Sequence, residues 1–252
     1  MFSQKLLSKL KDASTVTVFT GAGMSAESGV PTFRGEEGIW RKFKPEELAN
    51  FDAFMRNPDL VWEWYKERKH IISSIQPNPG HYALAQMQGY HRQFTVITQN
   101  IDNLHQRAGS KLVHELHGNI ERNYCVECGK YFSNEEILRQ ERAPRCAFCR
   151  GLIRPDVVWF GELLPRDAWN ASVAAAEHSD VFLAVGTSAI VYPAASLPQL
   201  AVEAGAFLVE INLEPTPLSD KAEEVLLGKS GLILPRLLED SYHVKFERQA
   251  SG

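Results

Sequence analysis

Apolar and polar positions along the chain alternate between two patterns. Five short stretches are almost continuously apolar and end in small or polar residues: "STVTVFTGAG" (14–23), "QFTVITQN" (93–100), "KLVHELHG" (111–118), "DVFLAVGTS" (180–188) and "AFLVEINLE" (206–214). Runs rich in Val, Ile, Leu and Phe, without strict alternation, are expected of strands covered on both faces. Between them, "PGHYALAQMQGY", "RDAWNASVAAAEH" and "PAASLPQLAVEAG" carry helical spacing. Strand–helix alternation predicts an α/β protein built on a doubly wound parallel sheet. Two segments interrupt it and read as inserts: 41–76, helical and rich in aromatics, and 120–157, which holds every cysteine. Phe2, Leu6, Leu7 and Leu10 form a helical stripe that predicts a first helix packed on the body, and the tail "FERQASG" is expected to fray. No repeat or low-complexity tract is present.

Composition narrows the picture. A chain of 252 residues suits one large domain carrying a smaller module. Apolar residues make up 44% and charged residues 23%, an ordinary globular profile, and the net charge of −4 gives no basic field for nucleic acid. No apolar run approaches the ~20 residues of a membrane helix. The start "MFSQKLLSKLKDAS" lacks an apolar core and a cleavage site, so no secretory signal is read and a cytoplasmic location is expected.

The four cysteines fall in two pairs. "YCVEC" gives Cys125 and Cys128, and "RCAFC" gives Cys146 and Cys149, with seventeen residues between the pairs. This spacing is that of a structural zinc site, in which two knuckles complete a tetrahedron and leave no position for water. Free core cysteines and a redox pair are the alternatives.

The strand ends carry the other candidate chemistry. "TGAGMSAESGVPTFRG" has the spacing G-x-G-x5-G rather than the G-x-G-x-x-G of hydride-transfer folds. Gly21 and Gly23 would let backbone approach a phosphate, unless they serve only a tight turn. "VGTS" and "INLE" end two further strands, where α/β sheets bind ligands, and three such loops together favour a nucleotide. "TQNID" places Gln99, Asn100 and Asp102 at another strand end. "HELHGN" contributes His114 and His117, and His117 before Gly118 sits where a base would be exposed. In "VWEWYKERKH" (61–70), Tyr65 and Arg68 are three apart and share a helix face. They are either part of a solvated face or two donors aimed at an anion.

Taken in order, "GAGMSAESGVPTFRG", "TQNIDNLHQRAG", "ELHGN", "CVEC…CAFC", "VVWFGE", "VGTS" and "INLE" resemble the sirtuins, NAD-dependent protein-lysine deacylases, over nearly the whole chain. The resemblance implies a Rossmann-like parallel sheet (1–40, 77–119 and 158–252) with an inserted small module made of a helical segment (41–76) and a zinc ribbon (120–157). It implies NAD as co-substrate, lying across Gly21, Ala22, Gly23, Glu27, Phe33, Arg34 and Trp40. Gln99, Asn100, Ile101 and Asp102 would line the nicotinamide and ribose pocket, with Gly186, Thr187, Ser188, Asn212, Leu213 and Glu214 at the adenosine half. Asn100, Asp102 and His117 would be catalytic, with His117 as base. One structural zinc would sit on Cys125, Cys128, Cys146 and Cys149.

Acylated-lysine proteins or peptides are the implied partners, held along Val158, Trp159, Phe160 and Gly161 by strand addition. Tyr65 and Arg68 match the Tyr-x-x-Arg of the branch that removes succinyl and malonyl groups, and Ala49 resembles the small residue that makes room for the longer chain. Acetyl removal is expected beside it. A sirtuin that is mainly a deacetylase, with Arg68 turned to solvent, an ADP-ribosyltransferase and a zinc-ribbon binding module with a vestigial nucleotide fold are the rivals.

Overall fold

Nine strands are distributed over two sheets in the computed structural model, which describes residues 2–30 and 48–247. In chain order they are β1 (Thr15–Thr20), β2 (Gln93–Thr98), β3 (Val113–Glu115), β4 (Gly118–Cys125), β5 (Tyr131–Phe132), β6 (Ile153–Val157), β7 (Val181–Val185), β8 (Phe207–Asn212) and β9 (Glu224–Leu227). The larger sheet runs β3-β2-β1-β7-β8-β9, with every neighbouring pair parallel. The smaller runs β5-β4-β6 and is antiparallel.

The continuous apolar runs are explained by burial on both faces. In β7, Val181, Leu183 and Val185 point into one core and Phe182 and Ala184 into the other; Val16 and Val18 part from Phe19 in β1 in the same way. The first core is closed by α1 (Gln4–Asp12), α5 (Pro79–Met87) and α10 (Ser230–Tyr242), through Leu6, Leu10, Leu84, Met87, Leu234 and Leu237. The second is closed by α8 (Arg166–Glu177) and α9 (Leu197–Glu203), through Ala175, Ala176, Leu197 and Ala201. The alanine-rich α8 suits the second layer because small side chains allow close packing in the core that holds Phe19 and Phe182. β9 and α10 lie outside the segments marked by the apolar pattern. β9 is a four-residue edge strand in a charged stretch, and Pro235 interrupts the α10 pattern.

The order reverses at β1, which has β2 on one side and β7 on the other. Such a switch point opens a crevice beyond the carboxyl ends of the strands. The loops after β1, β2, β7 and β8 all meet there.

The two inserts form one body. Between β1 and β2 lie α2 (Ala22–Ala26), α3 (Phe51–Arg56) and α4 (Pro58–Ser74), with α5 following. Asn57 caps α4 and Pro58 opens it, the arrangement favoured at a helix start. Phe54, Trp62, Tyr65 and Ile72 from α3 and α4 share a core with Ile120, Ile137 and Ile153 from the ribbon segment and with Trp159 just beyond it. Trp62 Nε1 donates to the Ile153 carbonyl at 2.7 Å. Lys69 Nζ donates to the Ile120 carbonyl and, at 2.8 Å, to Asn134 Oδ1 at the start of α7 (Asn134–Leu138). Burial lowers the Lys69 amine to about 7, yet a neutral amine still has the two N–H bonds these acceptors need. The Ile120 amide donates to the Ile101 carbonyl at 2.8 Å, which ties this body to the loop after β2. No described helix is long and apolar enough to cross a membrane.

Candidate active site

At the switch point the loops after β1 and β7 interlock. Gly21 N–H bonds the Val185 carbonyl at 3.1 Å, and Gly23 N–H bonds the Gly186 carbonyl at 2.8 Å. A Cβ on Gly21 would lie 2.8 Å from Gly186 O, and one on Gly23 would lie 2.8 Å from Gly186 Cα. The glycines are therefore demanded by the opposing backbone, apart from any phosphate. Asn100 is fixed by Nδ2 donating to the Gly21 carbonyl and Ser25 Oγ, both at 3.0 Å, while its amide donates to Thr98 Oγ1 at 3.0 Å. Gln99 Nε2 donates to Thr187 Oγ1 at 2.9 Å, and Asn212 Nδ2 to the Thr187 carbonyl at 2.9 Å.

Asp102 is buried, and Oδ1 accepts from the Leu104 amide at 3.0 Å, at the start of α6 (Leu104–Arg107). Burial raises its carboxyl above the ordinary range against the pull of hydrogen bonds and of Arg107. Ile101 is buried beside it and belongs to the core of the small body.

A cavity beyond these loops is lined by Gly23, Ala26, Glu27, Gly186, Asn212 and Leu213, and also by Gly228, Lys229 and Ser230. The last three were missed by the apolar pattern; the small-residue stretch "GKSG" after β9 was the available signal. Ala22 opens α2 beside this cavity. Glu27 has a structural task as well, because its carboxylate accepts from the Gly231 amide at 2.8 Å and Ser230 Oγ at 3.2 Å. Ser188 and Glu214 are exposed. Phe33, Arg34 and Trp40 lie outside the described residues.

His117 stands between β3 and β4, across from the loop after β2. Its Nδ1 is 2.9 Å from the Gln99 carbonyl, which can only accept. Nδ1 therefore carries the proton and Nε2 keeps a free lone pair. Burial lowers the imidazole below its ordinary value, opposed by that hydrogen bond. Gly118 follows at φ +77°, where a Cβ would fall 2.2 Å from the Asp156 carbonyl, so the turn that presents His117 requires glycine. His114 pairs with Ile97 in the sheet, away from this turn.

The helical face of Tyr65 and Arg68 points inward. Tyr65 is 2% exposed and Arg68 7%, which excludes a solvated face. Tyr65 Oη accepts from Trp159 Nε1 at 2.7 Å, and the Arg68 guanidinium lies 4.8 Å over the Trp64 ring. Burial pulls the guanidinium below its usual value, while the Tyr65 phenol and the Asp102 carboxylate act to hold it up. Arg68 thus faces the same region as the loop after β2. Ala49 is buried in the same cluster, and its carbonyl accepts from the Phe160 amide at 3.0 Å. The Val158 amide is bonded to the His117 carbonyl at 2.9 Å, and the Trp159 amide to Glu162 Oε2 at 2.7 Å. Three of the four amides from Val158 to Gly161 are thus already used, and an added strand would have to pair through carbonyls and the Gly161 amide.

The four Sγ atoms of Cys125, Cys128, Cys146 and Cys149 lie within 4.8 Å of one another and none is in a disulfide. Cys125 and Cys149 approach to 3.4 Å, Cys128 and Cys146 to 3.6 Å. A zinc–sulfur bond of about 2.3 Å gives tetrahedral sulfur–sulfur edges of about 3.8 Å, so the set fits a structural zinc site. The Phe148 amide donates to Cys146 Sγ at 3.4 Å, as a thiolate would favour. Replacing Cys128 with serine is expected to lose the metal and melt the ribbon, because ligation supplies folding energy to such modules. Metal analysis and a thermal melt check this: full zinc content with an unchanged melt would contradict it.

A parallel sheet with its crevice at the switch point, facing a small cysteine-clustered body across a histidine, defines a two-part nucleotide-site protein. The "Sir2 family" model matches residues 21–193, and the chain belongs to the Sir2 family. The "NAD-dependent protein deacylase 2" of Pyrobaculum aerophilum is 54% identical over 233 residues, covering 92% of this chain and 93% of that protein. A crystal structure of a Sir2 homologue–NAD complex is 41% identical with a TM-score of 0.90, covering 96% of this chain and 95% of that one. A Sir2 variant with a deacetylated peptide and 3′-O-acetyl ADP-ribose is 36% identical with a TM-score of 0.86, covering 97% and 100%.

Proposed function

We propose that this Sir2-family NAD-dependent protein deacylase prefers lysine acyl groups that end in a carboxylate, such as succinyl and malonyl, and also removes acetyl. The observation that carries the preference is the burial of Tyr65 and Arg68 on one helix face, with Asp102 close enough to Arg68 to act on its charge. A guanidinium presents a planar fork that fits a terminal carboxylate, and a phenol on the same helix face adds one hydrogen bond to it.

NAD supplies an electrophilic ribose carbon when nicotinamide departs. Asn100 and Asp102 orient that end, since both are held by backbone and side-chain hydrogen bonds in the loop after β2. The Gly21–Gly23 and Gly186–Ser188 loops, with Asn212, Leu213 and Glu214, take the adenosine half. His117 Nε2 accepts the ribose hydroxyl proton, with Nδ1–H held on Gln99. Phe160 and Gly161 border the acyl-lysine entry, and Ala49 leaves room for the longer chain. Acyl-lysine, NAD and water give free lysine, nicotinamide and O-acyl-ADP-ribose. The four thiolates stand in the ribbon and take no part in proton transfer.

The test is to incubate the protein with NAD and succinyl, malonyl and acetyl forms of one peptide and to weigh every product. The expected outcome is a lighter peptide, fastest for the dicarboxylic groups, with stoichiometric O-acyl-ADP-ribose. A faster acetyl reaction makes the protein a deacetylase, and a heavier peptide makes it an ADP-ribosyltransferase.

A further inference from the structure

Trp159 does more than border the peptide. Its indole N–H can only donate, and it donates to Tyr65 Oη at 2.7 Å with both side chains buried. The hydroxyl oxygen is therefore the acceptor in that bond. A phenolic O–H lies near the ring plane in one of two positions, and the one facing the indole is blocked by the incoming N–H. The Tyr65 proton is directed the other way, and among the described residues no acceptor for it is found.

Trp159 is itself clamped. The Arg154 guanidinium, 3% exposed, stacks 3.4 Å over the indole centroid, while Phe54 packs against the ring at 5.2 Å between centroids. Both Glu162 carboxylate oxygens bind Arg154, with Nη2 to Oε2 at 2.9 Å. Glu162 Oε2 also accepts from the Trp159 amide at 2.7 Å, and Arg154 Nη2 donates to the Val157 carbonyl at 2.8 Å. One ion pair thus fixes the plane of the indole and the turn it stands on.

We propose that Trp159, held by Arg154 and Glu162, is a positioning residue for acyl selection: by occupying the Tyr65 oxygen it makes Tyr65 a one-way donor toward a carboxylate beside Arg68. This rests on the carboxylate preference proposed above. The ligand class is a carboxylate-ended acyl chain. A neutral acyl group offers Tyr65 no comparable acceptor.

The experiment reads the succinyl-to-acetyl ratio of kcat/KM in wild type, Trp159→Phe, Tyr65→Phe, the double variant, Glu162→Gln and Arg68→Met. Trp159→Phe removes one donor and keeps an aromatic ring. It should lower the ratio roughly threefold to tenfold, as loss of one buried hydrogen bond does, and should have no further effect once Tyr65 is phenylalanine. Glu162→Gln should shift the ratio in the same direction. The spectroscopic signature is the Trp159 indole N–H resonance, which must move upfield in Tyr65→Phe; this readout stands even where Trp159→Phe does not fold. An equal fall for both acyl groups, an undiminished Trp159→Phe effect in the Tyr65→Phe background, or an unmoved indole resonance would overturn the proposal. If Arg68→Met lowers the ratio and Trp159→Phe does not, this proposal alone fails. If Arg68→Met leaves the ratio unchanged, the carboxylate reading fails with it.

Discussion

Replacing His117 with alanine is expected to reduce kcat/KM on every acyl substrate by ~10²–10⁴, the usual contribution of a positioned general base. The carbonyl of Gln99 holds Nδ1–H at 2.9 Å, which leaves Nε2 as the only ring atom able to take a proton. Alanine removes that atom and little of the fold, because the turn is fixed by Gly118 and by the bond from the Val158 amide to the His117 carbonyl, a backbone group. A thermal melt near that of wild type, with activity lost, is the expected pair of results. Near-normal turnover in folded protein would remove His117 from the role. A general base works when unprotonated, and burial lowers the His117 pKa below the usual histidine value. The acidic limb of the kcat/KM profile should therefore rise with pH through a midpoint below about 6.5, and the limb should vanish from the residual rate of the variant.

The second large effect concerns acyl choice. Arg68→Met keeps a long apolar stem in the core of the small body but removes the charge and every donor. Hydrogen bonds to charged groups contribute about 1.5–3 kcal/mol each, roughly ten- to a hundredfold. A fork making two of them puts the expected loss on succinyl substrate at ~10²-fold or more, so the succinyl-to-acetyl ratio of kcat/KM should collapse. Tyr65→Phe should move the ratio the same way by less, since it removes one neutral donor. Equal losses on both substrates would mean that Arg68 is only structural. The measurement is the transition-state comparison between two acyl forms of one peptide, which cancels effects common to both.

Much of this was legible in the chain itself. The five apolar runs became β1, β2, β3, β7 and β8, because strands covered on both faces draw most of their side chains from apolar residues. The two C-x2-C pairs came together because four-ligand zinc chemistry imposes a spacing that a reader can recognise. Less was legible where a neighbour decides. β9 is charged and short, and it is a strand because β8 offers it an edge. Gly228, Lys229 and Ser230 line the cavity only because that edge strand ends beside β8.

Sequence by itself determined five strands of the larger sheet, the cysteine set and the polar strand ends, since periodicity and ligand spacing are local properties of the chain. Only the tertiary structure decided what Gly21 and Gly23 are for, because the atoms they avoid belong to Gly186 and Thr187, far along the chain. It also decided the fate of Tyr65 and Arg68. Helical spacing placed them on one face, but a face is solvated or buried according to what packs against it. Here Trp159, ninety-four residues from Tyr65, closes that face and takes the phenol oxygen as its acceptor. Burial and hydrogen-bond partnership are long-range quantities, so no local pattern in "VWEWYKERKH" could have fixed them.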